Sequence, residues 1–460
     1  MIVSRRKLLA GLTAVATTGG VAWPVHGASR DELPNIVFIM ADDLGYGDLG
    51  CTGARDVKTP YIDSLAENGM LLRHGYANSS VCSPTRTALL TGCYQYRFPI
   101  GLEEPLGLVT PDGIGVPAER RTIAEVLRAQ GYETALVGKW HLGHAPGSLP
   151  LAQGYDHFFG IIHGGADYFR HHSVMGGKDI GSGLFDGNKE IERVGYMTDL
   201  FGDEAVTRIR KKTKPLFLSL HFTAPHWPWE GREDEEEARR IKDFFHYDGG
   251  TREVYTRMIA AMDDNVGKVL STLRELGELD NTIIVFTSDN GGERFSDVWP
   301  FTGMKGELLE GGIRTPILFQ WPRRIARGRL SDQVMMSMDF LPTLLSIAGG
   351  SWKAGEFDGA DLSSHLIGAQ APIDRTLFWR MKSHEQAAVR DGKWKYLRLG
   401  GKEHLFDIVH EPRERAVLND KFPDKLQELR IKWDAWNCQM LPYPISSYSA
   451  DNKLKMPDRY

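Results

Sequence analysis

The chain has 460 residues, 42% hydrophobic and 25% charged, an ordinary globular composition that excludes a disordered or coiled-coil protein. With 55 basic against 60 acidic residues the net charge is −5, so there is no basic excess to neutralise phosphates and nucleic acid is excluded as a partner. Four cysteines (Cys51, Cys82, Cys93 and Cys438), none in a CxxC pair, exclude a disulfide scaffold and a thiolate zinc site.

Ser4-Arg5-Arg6-Lys7 precedes a mild apolar stretch, Leu8 to Trp23, whose 16 residues fall short of the ~20 a membrane span needs. Small residues at Gly27 and Ala28 offer a cleavage site, and the paired arginines resemble a twin-arginine export signal. Residues 1–28 are therefore expected to be a signal peptide. The twin-arginine translocase would carry the folded protein, which would be periplasmic or secreted and not embedded in a membrane. Folding before export makes stable disulfides among Cys51, Cys93 and Cys438 unexpected.

Ile36 to Met40 reads as a buried strand, followed by a helix from Thr59-Pro60 through Ile62 and Leu65 that stops at Gly69. Thr122-Ile-Ala-Glu125 is a capping box opening a helix that ends at Gly131. Further strands are predicted at Thr134 to Val137, Leu216 to Phe222, Ile283 to Phe286 and Pro316 to Gln320. A helix follows from Tyr255, Met258, Ile259, Met262, Val266, Val269 and Leu273. Fully apolar strands alternating with helices predict an α/β fold, a large mostly parallel sheet covered on both faces. After about residue 370 the texture changes. Asp391-Gly392 between Ala387–Arg390 and Lys393–Leu397 predicts a hairpin with a type I′ turn, and Leu426, Leu429, Trp433 and Trp436 a closing helix. The expected organisation is a catalytic domain over 29–370 and a smaller C-terminal α+β domain over 371–460 with an antiparallel sheet. The charge run Glu233 to Arg240 reads as a solvated helix face.

Four predicted strands end in chemistry-bearing residues: Asp42-Asp43, then Lys139 and His141, then His226, then Asp289-Asn290. Each alone has an ordinary reading as a turn, a cap or packing. Together they gain weight, because ligands of open α/β sheets bind outside the carboxyl ends of the strands. Three carboxylates and an amide oxygen brought together call for a hard cation, Ca²⁺ or Mg²⁺. Arg86, Lys139 and Lys305 would add positive charge for an anionic substrate. Cys82 heads a predicted helix towards Thr91, with Pro84 in its first turn and Gly92 after it, so the thiol lies where backbone N–H groups attract anions.

Cys82-Ser83-Pro84-Thr85-Arg86, continuing to Gly92, resembles the C-x-P-x-R signature of the type I (formylglycine-dependent) sulfatases, members of the alkaline phosphatase superfamily. Gly131 to His141, Ala41 to Gly47, Ala224-Pro225-His226, Ser288 to Gly291, and Lys305 with Glu310-Gly311-Gly312 are similar to further motifs of that family, over about Asn35 to Leu418. The resemblance implies an alkaline phosphatase-like fold and a sulfuric ester hydrolase acting on sulfated sugar, polysaccharide or aryl sulfate. It implies that a formylglycine-generating maturation enzyme converts Cys82 to formylglycine, whose hydrate attacks sulfur. Asp42, Asp43, Asp289, Asn290 and residue 82 would bind Ca²⁺. Arg86 and Lys139 would hold the hydrate and the sulfate oxygens, His226 or Lys305 would protonate the leaving alcohol, and His141 would take the proton that expels sulfate. The stretch Ile161 to Gly165 lacks the serine some members place there. His163 is a substrate-contact candidate, His171 and His172 read as surface loop residues, and Trp227 and Trp229 either stack on a substrate ring or pack in the core.

Two other functions fit parts of the pattern. A phosphate or phosphonate ester hydrolase would share the metal site, and a catalytically silent protein could bind sulfated sugar. A dinucleotide site at Gly45-Tyr46-Gly47-Asp48-Leu49-Gly50 is rejected, because Asp42-Asp43 would repel a pyrophosphate and no helix continues from the glycines.

Overall fold

The computed structural model describes residues 33–108 and 113–445, so the signal predicted over residues 1–28 lies outside the described residues. Strands β1 (Asn35–Ala41), β2 (Met70–Tyr76), β3 (Glu133–Lys139), β4 (His157–Ile161), β5 (Ser173–Met175), β6 (Lys178–Ile180), β7 (Leu184–Asp186) and β8 (Lys189–Ile191) come first. They are followed by β9 (Leu216–His221), β10 (Thr282–Ser288), β11 (Ile317–Gln320) and β12 (Arg329–Met336). Ten of these form one sheet in the order β12-β2-β11-β10-β1-β9-β3-β4-β7-β8. The sheet is mostly parallel; β11 and β7 alone run against the rest.

The period-two geometry of a strand explains why the central strands are apolar throughout. In β1, Val37, Ile39 and Ala41 face one core with the helices Met197–Lys211 and Arg252–Glu275, while Ile36, Phe38 and Met40 face a second core with Ile123–Ala129 and Phe340–Ile347. Each such side chain, removed from water on either face, contributes about 1.5–3 kcal/mol. The capping box forms as predicted: Thr122 Oγ1 accepts from Glu125 N (3.1 Å), and Glu125 Oε2 accepts from Thr122 N (2.9 Å). Thr59 does not cap its helix; its hydroxyl bonds Asp63 Oδ1 and accepts from Gly50 N.

Beyond residue 370, β13 (Thr376–Met381), β14 (Gln386–Asp391), β15 (Trp394–Leu399) and β16 (Lys402–Asp407) form an antiparallel sheet, closed by the helix Pro423–Asn437. The β14–β15 turn differs from the prediction. Asp391 pairs with Trp394, which makes Gly392 and Lys393 the central residues, and only Gly392 has positive φ (59°). That is the pattern of a type II′ turn, not type I′. This sheet does not stand apart from the larger one. Trp379, Tyr396, Leu429, Trp433 and Trp436 pack in one cluster with Tyr76, Val81, Ala88, Tyr94 and Tyr96, and Trp379 Nε1 donates to Ala77 O (2.9 Å). All four cysteines are free. Among the described residues no helix is long and apolar enough to cross a membrane.

Candidate active site

The ends of four neighbouring strands deliver the site, as the sequence pattern predicts. Asp42 and Asp43 follow β1, Lys139 ends β3 with His141 just beyond, His226 lies in the loop after β9, and Asp289 and Asn290 follow β10. Cys82 opens the helix Cys82–Thr91 one turn before Arg86, and Gly92, in the left-handed region at φ 67°, ends it. Lys305 arrives on a loop between β10 and β11. All ten predicted residues are buried.

Cys82 Sγ lies 3.4 Å from Asp42 Oδ1 and 3.9 Å from Asp43 Oδ1. Lys139 Nζ donates to Asp42 Oδ2 (2.5 Å) and Lys305 Nζ to Asp43 Oδ2 (2.6 Å). Arg86 holds Asp289 Oδ2 through Nε (3.0 Å) and Nη2 (2.8 Å), and its Nη1 donates to Lys139 O (3.1 Å). His226 Nε2 is 3.6 Å from Asp43 Oδ2, and its Nδ1 contacts Trp227 O (2.7 Å). His141 Nε2 contacts Leu106 O (2.8 Å), which leaves Nδ1 without a hydrogen-bond partner. Asp43 and His141 both have positive φ, 63° and 61°, a conformation that costs non-glycine residues roughly 1–3 kcal/mol and clusters at functional sites. Gly164 makes room for the His141 ring: a Cβ there would lie 2.6 Å from ring carbon Cε1.

Three carboxylates share this volume with three cations. Burial, aided by the charge of Asp289, pushes the Asp42 carboxyl up against the pull of Lys139. Burial also opposes ionisation of Asp43 and Asp289, but Lys305 for the first and Arg86 for the second, each with Lys139, hold them below the usual carboxylate range. Burial, reinforced by Asp42, pushes the Cys82 thiol well up, so an unmodified thiol would supply little thiolate. Burial and the neighbouring lysines keep His141 and His226 neutral.

The donor set fits a metal ion. Cys82, Asp42, Asp43 and His226 offer ligand atoms all within 4.8 Å of one another. Asn290 turns Nδ2 to Asp43 Oδ1 (2.7 Å) and leaves its buried Oδ1 with no donor, an oxygen suited to a metal. Asp289 is turned towards Arg86, so His226 stands in the tight cluster where the sequence pattern expected Asp289.

Sequence reasoning missed Glu293, whose Oε2 accepts from Trp227 Nε1 (2.6 Å) and pairs with Lys305 (3.4 Å). Its place three residues after Asn290 was the available signal. Tyr168 was also missed; its hydroxyl donates to His226 O (2.8 Å), and its own N donates to the buried Glu230 (2.8 Å). Trp227 lies against the His226 ring, centroids 3.8 Å apart, whereas Trp229 packs in the core. His171 is not a surface residue: it is buried at φ 64° with Nε2 on Gly195 O (3.0 Å), while His172 is half-buried. His163 is half-buried beside His144. The segment Gly45 to Gly50 forms short 3-10 turns and opens no helix.

The family model described as Sulfatase matches residues 34–350. Arylsulfatase A of Homo sapiens is 33% identical over 402 residues, covering 79% of this chain and 74% of that protein. N-acetylgalactosamine-6-sulfatase of Canis lupus familiaris is 33% identical over 393 residues, covering 80% of this chain and 72% of that protein. Among solved structures, Ps i-CgsB in complex with k-i-k-neocarrahexaose superposes with a TM-score of 0.80 at 30% identity, covering 89% of this chain and 94% of that one.

Proposed function

The chain belongs to the sulfatase family and hydrolyses sulfate esters, and from that premise we propose that Cys82, matured to formylglycine, carries the nucleophile and that the substrate is a sulfated carbohydrate. One observation carries the reading: Cys82 opens its helix between Asp42 and Asp43, with Arg86 one turn on and Lys139 and Lys305 at the two carboxylates. A thiol has one proton and no internal route to release a bound sulfate; a hydrated aldehyde supplies an attacking hydroxyl and a second one whose deprotonation expels the group. A Ca²⁺ ion held by Asp42, Asp43, Asp289 and Asn290 with residue 82 would supply positive charge at the ester oxygens. Arg86, Lys139 and Lys305 then bind the sulfate oxygens in a site that excludes water. A proton for the leaving oxygen comes from Lys305 Nζ, or from His226 Nε2 when the ring takes up a second proton, since the neutral ring keeps its proton at Nδ1 for Trp227 O. His141, its Nε2 committed to Leu106 O, accepts a proton at Nδ1.

The carbohydrate assignment is supported by a relative named for a sulfated N-acetylgalactosamine and by a neighbour holding a carrageenan oligosaccharide. Export by the twin-arginine translocase to the periplasm or beyond, after action of the maturation enzyme, belongs to the same reading and rests on Arg5-Arg6 ahead of the apolar stretch. The test is a panel of defined sulfated saccharides and matched sulfate and phosphate aryl esters, with mass spectrometry of residue 82. Sulfate esters should be preferred by about 10²-fold or more, with an aldehyde at position 82. Faster phosphate release would favour a phosphate or phosphonate hydrolase. A plain thiol with sugar binding and no turnover would favour a binding protein.

Leaving-group dependence tests the role of His226. His226→Ala should slow a sugar or alkyl sulfate by about 10²–10⁴-fold and an activated aryl sulfate far less. Equal losses on both would remove His226 as the proton donor.

A further inference from the structure

The loop that carries Lys305 is gripped from the opposite side by three side chains of the C-terminal sheet region. Gln386, the first residue of β14, is 2% exposed. Its Oε1 accepts from Leu308 N (2.8 Å) and its Nε2 donates to Gly306 O (2.9 Å) and Ser383 O (3.1 Å). One amide thus pairs with both an N–H and a C=O of the chain directly after Lys305, and those partners fix which end is oxygen. The same stretch is tied to the site on its other flank, where Lys305 N donates to Gly292 O and Gly306 N to Ser80 O, both at 2.9 Å. Four residues further on, Lys395 of β15 joins Glu310 Oε1 (2.9 Å) to Glu414 Oε1 (2.8 Å), and Glu414 Oε2 accepts from Glu310 N (2.6 Å). These three charged side chains are wholly buried.

We propose that Gln386 is a positioning residue that holds the Lys305 ammonium at Asp43 and so makes the C-terminal sheet part of the sulfate-binding machinery. The proposal rests on the reading above that Lys305 binds the ester. Lys395 and Glu414 anchor the far end of the loop, while Gln386 sets the two peptide groups that aim Lys305. Among the described residues Gln386 is the side chain that bonds Leu308 N and Gly306 O, so a change at Gln386 is transmitted through the backbone that carries Lys305.

The test is a double-mutant cycle on the matured enzyme with an activated aryl sulfate, whose good leaving group keeps slow variants measurable. Gln386→Glu turns an oxygen against the carbonyls of Gly306 and Ser383; Gln386→Met keeps the length and loses all three bonds. Either should lower kcat by about 10–100-fold with a smaller change in KM, at unchanged metal content. In a Lys305→Ala background the same change should cost less than about 3-fold, because there is no ammonium left to aim. Equal losses in both backgrounds would overturn the proposal and leave Gln386 a general structural residue, as would full activity of both single variants at Gln386. Full activity of Lys305→Ala itself would overturn the reading of Lys305, a result distinguishable from the other two. If Gln386→Glu does not fold, Gln386→Met decides.

Discussion

Cys82→Ala is expected to abolish sulfate release, by about 10⁴-fold or more, while the protein folds and melts much as before. The asymmetry follows from what the side chain touches. Sγ faces two carboxylate oxygens at 3.4 and 3.9 Å and contributes little to either core, so its loss should change stability by about 1 kcal/mol or less. The cations that bind the ester remain, so substrate affinity should fall far less than turnover. Initial rates on an aryl sulfate, thermal melting and equilibrium binding of an unreactive analogue measure the three quantities. Turnover within tenfold of the parent would sink the nucleophile assignment.

Asp289→Asn should be damaging in two separable ways. The carboxylate is fully buried and takes Nε and Nη2 of Arg86 on one oxygen, while its other oxygen accepts from Asp43 N (3.3 Å). Without that charge, the carboxylate left to buried Arg86 is Asp42, with Oδ1 at 3.7 Å, beside the neutral carbonyl of Lys139. A buried ion stripped of its partner costs about 3–5 kcal/mol, so a clear fall in melting temperature is expected. On the proposed metal assignment the variant also loses one of the three carboxylates of the ion's shell. Elemental analysis should show metal below one equivalent, and activity should drop by about 10³-fold or more, unrestored by moderate added metal. Parent-like stability with full metal content would show that Asp289 neither balances Arg86 nor belongs to the ion's shell.

The site was legible because apolar runs stop abruptly at polar residues: Met40 before Asp42-Asp43, Phe286 before Asp289-Asn290. Burial forces the run, and the parallel arrangement forces its ends together. Strand direction is not written in that pattern, so the reversal of β11 could not be read. β2 escaped notice because Arg73 and His74 interrupt its apolar face, and the helix Met197–Lys211 because its outer face is charged. Glu293, Gln386, Lys395 and Glu414 were silent for another reason. Their roles depend on partners brought close only by the tertiary fold, and locally each is an ordinary polar residue.

The aromatic seam joining Tyr76, Tyr94 and Tyr96 to Trp379, Trp433 and Trp436 bears on how such a protein diversifies. Enzymes commonly acquire new targeting by exchanging a tail for an unrelated one. Here a transplanted tail would have to match the rings across the seam and also return an amide to Gly306 and an ammonium to Glu310. Changes on the two sides of the seam are therefore coupled.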